Sequence, residues 1–202
     1  MCDQIFIYIA VEGQLDEAVL RTLLNKIGRF SVISCYGKQG KGYLKSRING
    51  FNNAARGTPY LILTDLDSKE CAPKLIEDWL GTQKHENLIL RVAVREIEAW
   101  LLAHRSAFAD FLGISVDRIP IEPDNLDKPK IELINISRKS RINEIRRAIV
   151  PREGSANQTG PNYTSALAHF VYKNWDAFEA AKNSPSLKRT IDSLKTFRPA
   201  FN

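Results

Sequence analysis

Residues 5–13 read IFIYIAVEG and residues 60–68 read YLILTDLDS. Each is a run of aliphatic and aromatic side chains that ends in acid, the first at Glu12, the second at Asp65 and Asp67. A run of this kind with no polar break reads as a strand buried on both faces, because a strand with one wet face alternates. Strands buried on both faces belong to parallel α/β sheets, whose ligands bind outside the carboxyl ends of the strands. Three carboxylates are therefore expected at one sheet edge, where no apolar surface accounts for them. That composition suits a Mg²⁺ site for phosphate chemistry.

The segments around these runs fit the same architecture. QLDEAVLRTLLNKIG follows the first run with Ala18, Leu20, Leu23, Leu24 and Ile27 at helical spacing and Gly28 as a stop. SVISCY reads as a short strand, GKQGKG as a basic loop, and YLKSRINGFNNAA as a helix closed by Gly57, Thr58 and Pro59. After YLILTD come a helix, KECAPKLIEDWLG, with Pro73 in its first turn, a strand, NLILRVAV, and a long amphipathic helix, REIEAWLLAHRSAFADFLG. The βαβαβαβα order over residues 4–112 implies a parallel, doubly wound sheet of about four strands with right-handed crossovers. Residues 113–127 change composition: IPIEPDNLD is proline-rich and acidic, and reads as a connector. Beyond it the pattern is helical, in PKIELINIS, SRINEIRRAIV, SALAHFVYKNW and SPSLKRTIDSLKTF. In the last of these Ser184 caps, Pro185 takes the first helical position, and Leu187, Ile191 and Leu194 form a core-facing stripe. The expected organisation is an α/β domain over 1–112 with a helical C-terminal extension over 113–202.

Bulk properties bound the function. The 202 residues, 44% hydrophobic, suffice for one domain with an extension. A net charge of +6 leans modestly toward an anionic partner. Cys2, Cys35 and Cys71 lack CxxC spacing, and His85, His104 and His169 are scattered, so neither a disulfide frame nor a zinc site is indicated. Asp3 leads directly into the first strand with no signal-peptide pattern, and no apolar run approaches the ~20 residues of a membrane span. The expectation is a cytoplasmic protein with no membrane segment. The pair Gly37 and Gly42 has phosphate-loop spacing, but Tyr43 and Leu44 stand where Lys and Ser/Thr are required, so no NTP-binding loop is read there.

At the acidic edge, Asp65 and Asp67 are two apart, which in an extended segment points both side chains the same way and turns Leu66 inward. Crowded carboxylates repel one another, and a hard divalent cation with oxygen ligands relieves the repulsion. Alternatively, DLD is a polar turn whose acids cap the next helix. VEGQLDE and LILTDLDS together resemble the Toprim domain, the topoisomerase–primase fold, which has Glu-Gly after its first strand and Asp-x-Asp after its third. VREIEAWLLAHR, LDKPKIELI, TGPNYTSAL and SPSLKR further resemble an uncharacterised bacterial family of Toprim-like proteins, over nearly the whole chain. Such relatives usually carry an acid where this chain has His104.

The resemblance implies that Glu12 is a metal ligand or general acid/base, and that Asp65 and Asp67 are ligands of Mg²⁺ (or Mn²⁺). In Toprim nucleases of the overcoming-lysogenization-defect type further acids hold a second metal, and here Asp16, Glu96 and Glu98 are the candidates. Positions two apart on a helix diverge by about 200°, so a helical start sends only one of Glu96 and Glu98 to the site. Either acid also has Arg91 and Arg95 within reach as surface partners. For nucleic-acid contact the candidates are Lys38 and Lys41 in the glycine loop, and Arg146 and Arg147 in the basic stretch 128–152. The arginines also fit the wet side of an amphipathic helix carrying Ile142, Ile145 and Ile149. Tyr163, in the sharp GPNY loop, is either a turn residue or a base-stacking one.

Two functions follow as expectations. One is a Mg²⁺- or Mn²⁺-dependent nuclease acting on DNA or RNA, of the kind found in bacterial defence modules. The other is a non-catalytic nucleic-acid-binding or regulatory subunit with a Toprim fold. Toprim nucleases of defence modules often act with an ATPase encoded beside them, so the resemblance also implies a separate ATPase as partner.

Overall fold

The computed structural model describes residues 4–200; Cys2 and Asp3 lie outside them. It is an α/β structure with one four-stranded, all-parallel sheet in the order β2-β1-β3-β4. The strands are β1 (Ile5–Val11), β2 (Phe30–Gly37), β3 (Tyr60–Asp65) and β4 (Leu88–Ala93). Helices α1 (Gln14–Ile27), α2 (Lys41–Ala54) and α3 (Ala72–Leu80) connect them. The remainder is helical: α4 (Ile97–Ala103), α5 (Arg105–Leu112), two 3-10 turns in the connector, α6 (Pro129–Ser137), α7 (Asn143–Ile149), α8 (Tyr163–Lys173), α9 (Ala177–Ala180) and α10 (Pro185–Thr196). The chain divides into two compact units, one running to Val94 and rejoined from Arg189 onward, the other Arg95–Lys188.

In the first unit, strand alternation sends Ala10, Tyr60, Ile62, Leu88, Leu90 and Val92 to one face. There they form a core with Leu44, Ile48 and Phe51 of α2 and Leu75, Trp79 and Leu80 of α3. Ile7, Ile9, Val11, Leu61 and Leu63 alternate to the other face and are fully buried. β3 is buried along its length until Asp65, as a two-sided strand should be. β1 departs from that reading at Phe6, which is 60% exposed. The reason is register: β3 begins opposite Tyr8, so the start of β1 has β2 alone beside it. The C-terminal residues fasten to this unit through polar groups. Arg29 donates to the carbonyls of Leu194, Lys195 and Phe197 at the end of α10. The buried Asn87 side chain exchanges two 2.8 Å bonds with the backbone of Ala200.

In the second unit the segment expected as one long amphipathic helix is two. The backbone leaves helical geometry at His104 (φ −84, ψ 67), whose Nδ1 accepts the Asp176 N–H at 2.9 Å. Every residue of α4 is buried, so that helix is a core element with no wet face. Trp100 sits at its centre, donating to Ser186 Oγ at 2.7 Å while its carbonyl accepts from Trp175 Nε1 at 2.9 Å. Ser184 caps α10 as expected, its hydroxyl accepting the Leu187 N–H at 3.2 Å. The acidic connector supports the same helix start, where Asp124 accepts from Ser184 Oγ and from Ser186 N.

Two glycines are required by close approach. A Cβ at Gly37 would lie 2.2 Å from the Val11 carbonyl oxygen, and the residue has φ +92. A Cβ at Gly160 would lie 2.3 Å from the Ala148 carbonyl oxygen; the bare backbone there lets Gly160 N bond Ile149 O at 2.8 Å. Gly37→Ala is expected to destabilise the protein by about 1–3 kcal/mol, since backbone and not a mobile side chain must yield. Gly50→Ala, inside α2 with nothing within 4 Å of the added carbon, should stabilise by about 0.5–1 kcal/mol. Thermal melts of the two variants check this, and similar shifts in both would refute the clash.

Candidate active site

The strand order places a topological switch point between β1 and β3, from which the chain winds outward both ways. Glu12 follows β1 directly and Asp65 ends β3. Glu12 Oε1 accepts the Asp65 N–H at 3.0 Å and a short hydrogen bond from the Thr64 hydroxyl. Thr64 is fully buried within an apolar strand, so its hydroxyl needs this partner. The Glu12 carbonyl meanwhile accepts from Gly40 N at 3.0 Å. Glu12 thus joins the carboxyl ends of β1 and β3 through its side chain and the loop after β2 through its backbone. Glu12 Oε2 makes no hydrogen bond among the described residues.

Asp16 is one turn further on and buried; its Oδ2 accepts the Gly13 N–H at 2.7 Å and closes the first turn of α1. Asp65 is half-buried and Asp67 exposed. The segment is not extended through Asp67. Its φ is +53, so the simple two-residue alternation does not apply, although Leu66 between the acids does turn inward and is buried. Lys41, at the first position of α2, reaches this turn. Its Nζ lies 2.5 Å from the Asp65 carbonyl and 2.6 Å from Asp67 Oδ2. Lys38 is exposed and pairs with Glu17 at 3.1 Å. Burial pushes the nearby Cys35 thiol up to about 11, which keeps it protonated.

The donor set fits a hard divalent cation: it is all oxygen, and Glu12 is oriented through one oxygen with the other left over. Among the described residues no group of three or more His, Cys, Asp or Glu side chains stands together as a metal cage. Mg²⁺ does not need one, since it commonly takes one or two carboxylates, waters and substrate phosphate.

Glu96 and Glu98 belong to the second unit, where they have different surroundings. Glu96 is the residue before α4, in extended geometry, and its Oε2 accepts the Lys130 N–H at 2.7 Å. Glu98, in the first turn of α4, is 2% exposed. Its Oε1 accepts from the Tyr163 hydroxyl at 2.8 Å and lies 3.6 Å from Lys130 Nζ, while its Oε2 is buried with no hydrogen-bond partner among the described residues. Burial holds the Glu98 carboxyl above the usual range, against the pull of Lys130 and Tyr163. Tyr163 is itself buried, so it is a structural corner residue and does not offer its ring to a base. Arg91 donates to Thr190 Oγ1 at 3.3 Å. Arg146 and Arg147 are both exposed on α7. Thr64, Tyr163 and Lys130 are the polar partners that sequence reasoning missed as site-builders; a hydroxyl inside the apolar run LILT was the one visible signal.

These features define the class: a parallel α/β protein with carboxylates at the β1/β3 switch point. No family model matches the chain, and no curated protein does. Among solved structures, the C-terminal region of the Burkholderia pseudomallei OLD protein is similar with a TM-score of 0.44 and 13% identity, over 94% of this chain and 96% of that one. A likeness that slight carries neither fold nor function across.

Glu12→Ala strands the buried Thr64 hydroxyl and the Asp65 N–H, and is expected to cost about 1–3 kcal/mol in chemical denaturation. A loss below the scatter of the measurement would show that water replaces the carboxylate. For Glu98 the folded pKa is raised, so its contribution to stability is complete below the usual 4.5 and is lost as pH rises through the folded value. Glu98→Gln keeps an acceptor for Tyr163 without the charge. Relative to the native chain, its melting temperature is expected to gain as pH rises above the usual carboxyl value of 4.5. Parallel pH profiles for the two proteins would contradict this.

Proposed function

We propose that this protein is a Mg²⁺- or Mn²⁺-dependent nuclease that hydrolyses phosphodiester bonds of DNA or RNA, with Glu12, Asp65 and Asp67 as its central carboxylates. The observation that carries the reading is the Glu12–Asp65 contact at the β1/β3 switch point, where open α/β sheets bind ligands. Glu12 and Asp65 would hold the cation, Asp67 joining them by exchanging Lys41 for it. The bound ion would supply Lewis-acid polarisation of the phosphate and charge neutralisation. Lys41, already on the Asp65 carbonyl, would then be a cation beside the scissile phosphate. Asp16 contributes by setting the start of α1 and with it the position of Glu12. A separate ATPase is the expected partner.

One observation favours a second reading. Asp67 is paired with Lys41 and Asp16 accepts the Gly13 N–H, so two of the carboxylates have partners within the protein itself. A non-catalytic nucleic-acid-binding or regulatory subunit needs nothing more.

The test incubates the protein with supercoiled plasmid, single-stranded DNA and RNA in Mg²⁺, Mn²⁺ or EDTA. Asp65→Asn and Asp67→Asn are better probes than Glu12 variants, because Glu12 also holds the strand ends together. Cleavage is expected to need metal and to fall at least about 100-fold in each variant. Undiminished cleavage in both would overturn the nuclease assignment. Salt-sensitive binding with no cleavage, unaffected by the two substitutions, would establish the second reading instead.

A further inference from the structure

The second unit carries a groove of its own, walled by α7, residues 150–152, the corner at 161–162, and Ser165, Ala166 and His169 of α8. It encloses about 1560 Å³, against about 300–1,000 Å³ for pockets that take small ligands. Arg138, Arg146, Arg147 and Arg152 line it, with Glu144 as the one acid among its lining residues. All four arginines are exposed. Arg146 bonds the neutral Asn143 side chain at 2.7 Å, and among the described residues none of the four has an ion-pair partner. Among the described residues, exposed cations without an ion pair also stand elsewhere, as Lys45 does on α2; what sets these four apart is that they line one hollow.

The groove is held in shape by backbone. With no side chain at Gly160, residues 160–162 close onto the last turn of α7, where Gly160 N and Asn162 N bond the carbonyls of Ile149 and Ala148. Arg146 and Arg147 thus stand on a braced helix, and repulsion among like charges gathered at one hollow is relieved by an extended polyanion. Phe111, Ile142 and Ala166 lie among the cations. A duplex buries its base faces in its own stack and offers such side chains nothing, whereas a single strand offers both phosphates and bare bases.

We propose that this groove binds single-stranded nucleic acid, with phosphates on Arg138, Arg146, Arg147 and Arg152 and bases against Phe111 and Ile142. The proposal deepens the nuclease reading by naming a strand-holding site, and it rests on residues of the second unit alone.

The test is fluorescence anisotropy of a labelled oligopyrimidine strand with the full chain in EDTA, over a series of salt concentrations, beside the same sequence as duplex. The strand is expected to bind tighter than the duplex. Arg147→Gln and Arg152→Gln should each weaken binding and reduce the slope of log K against log salt by about 0.7. Lys45→Gln, on the exposed side of α2, controls for net charge and should leave the slope near its native value. Circular dichroism and melting temperature establish that each variant is folded. Absence of binding, preference for duplex, or a slope unchanged by both arginine substitutions would overturn the proposal. Because no metal is present, failure here leaves the cleavage test of Asp65 and Asp67 standing, and failure of cleavage leaves this measurement standing.

Discussion

The arrangement of the first unit depends on one carboxylate. Parallel strands end where their ladder runs out of partners, and the last N–H and hydroxyl groups of β3 would be left unsatisfied at the edge. Glu12 takes both, from Asp65 N and Thr64 Oγ1, and offers its own carbonyl to Gly40 on the other side. One residue therefore links the ends of two adjacent strands to the loop that starts α2. A buried unsatisfied polar group costs more than a hydrogen bond contributes, so this arrangement is strongly specified.

The same arrangement concentrates the polar chemistry. Glu12 commits one oxygen to structure, which orients the other; Gly37 lets β2 end against the Val11 carbonyl; and α2 begins close enough for Lys41 to reach Asp65 and Asp67. Asp67 adopts a left-handed backbone, a conformation that Asp tolerates better than most residues. Its pairing with Lys41 supplies a cation from within the chain, and any exogenous cation must compete with that ammonium.

The second unit is organised differently. Its centre is a wholly buried helix, α4, whose polar requirements are met by residues far away in sequence: Trp100 by Ser186, Glu98 by Tyr163, His104 by the backbone of Asp176. Burial on this scale favours the protonated form of Glu98 and makes that carboxyl a pH-dependent element of stability. The arginines of α7 are the opposite case, cations left on the surface around a frame that Gly160 closes.

The sequence alone determined the elements and the edge at which the acids gather. Four segments read as strands became four parallel strands, Gly28 ended α1, Pro73 and Pro185 took first-turn positions, and Ser184 capped α10, because each depends on neighbours a few residues away. Glu12 and Asp65 were legible as neighbours because parallel strands joined by crossovers bring their carboxyl ends together. Phe6, the break at His104 and the left-handed Asp67 were not. The first is set by where β3 begins beside β1, the second by an N–H 72 positions away, the third by a turn that α2 braces through Lys41. Nor does composition separate a basic helix face from a groove: the hollow that Arg138, Arg146, Arg147 and Arg152 line is walled on one side by the 160–162 corner closing on α7. Periodicity and capping act within a turn or two of chain and can be read from it. Which carboxylate meets which N–H, and which charge stays unpaired, is decided by contacts between residues far apart in sequence, and those exist only once the chain has packed.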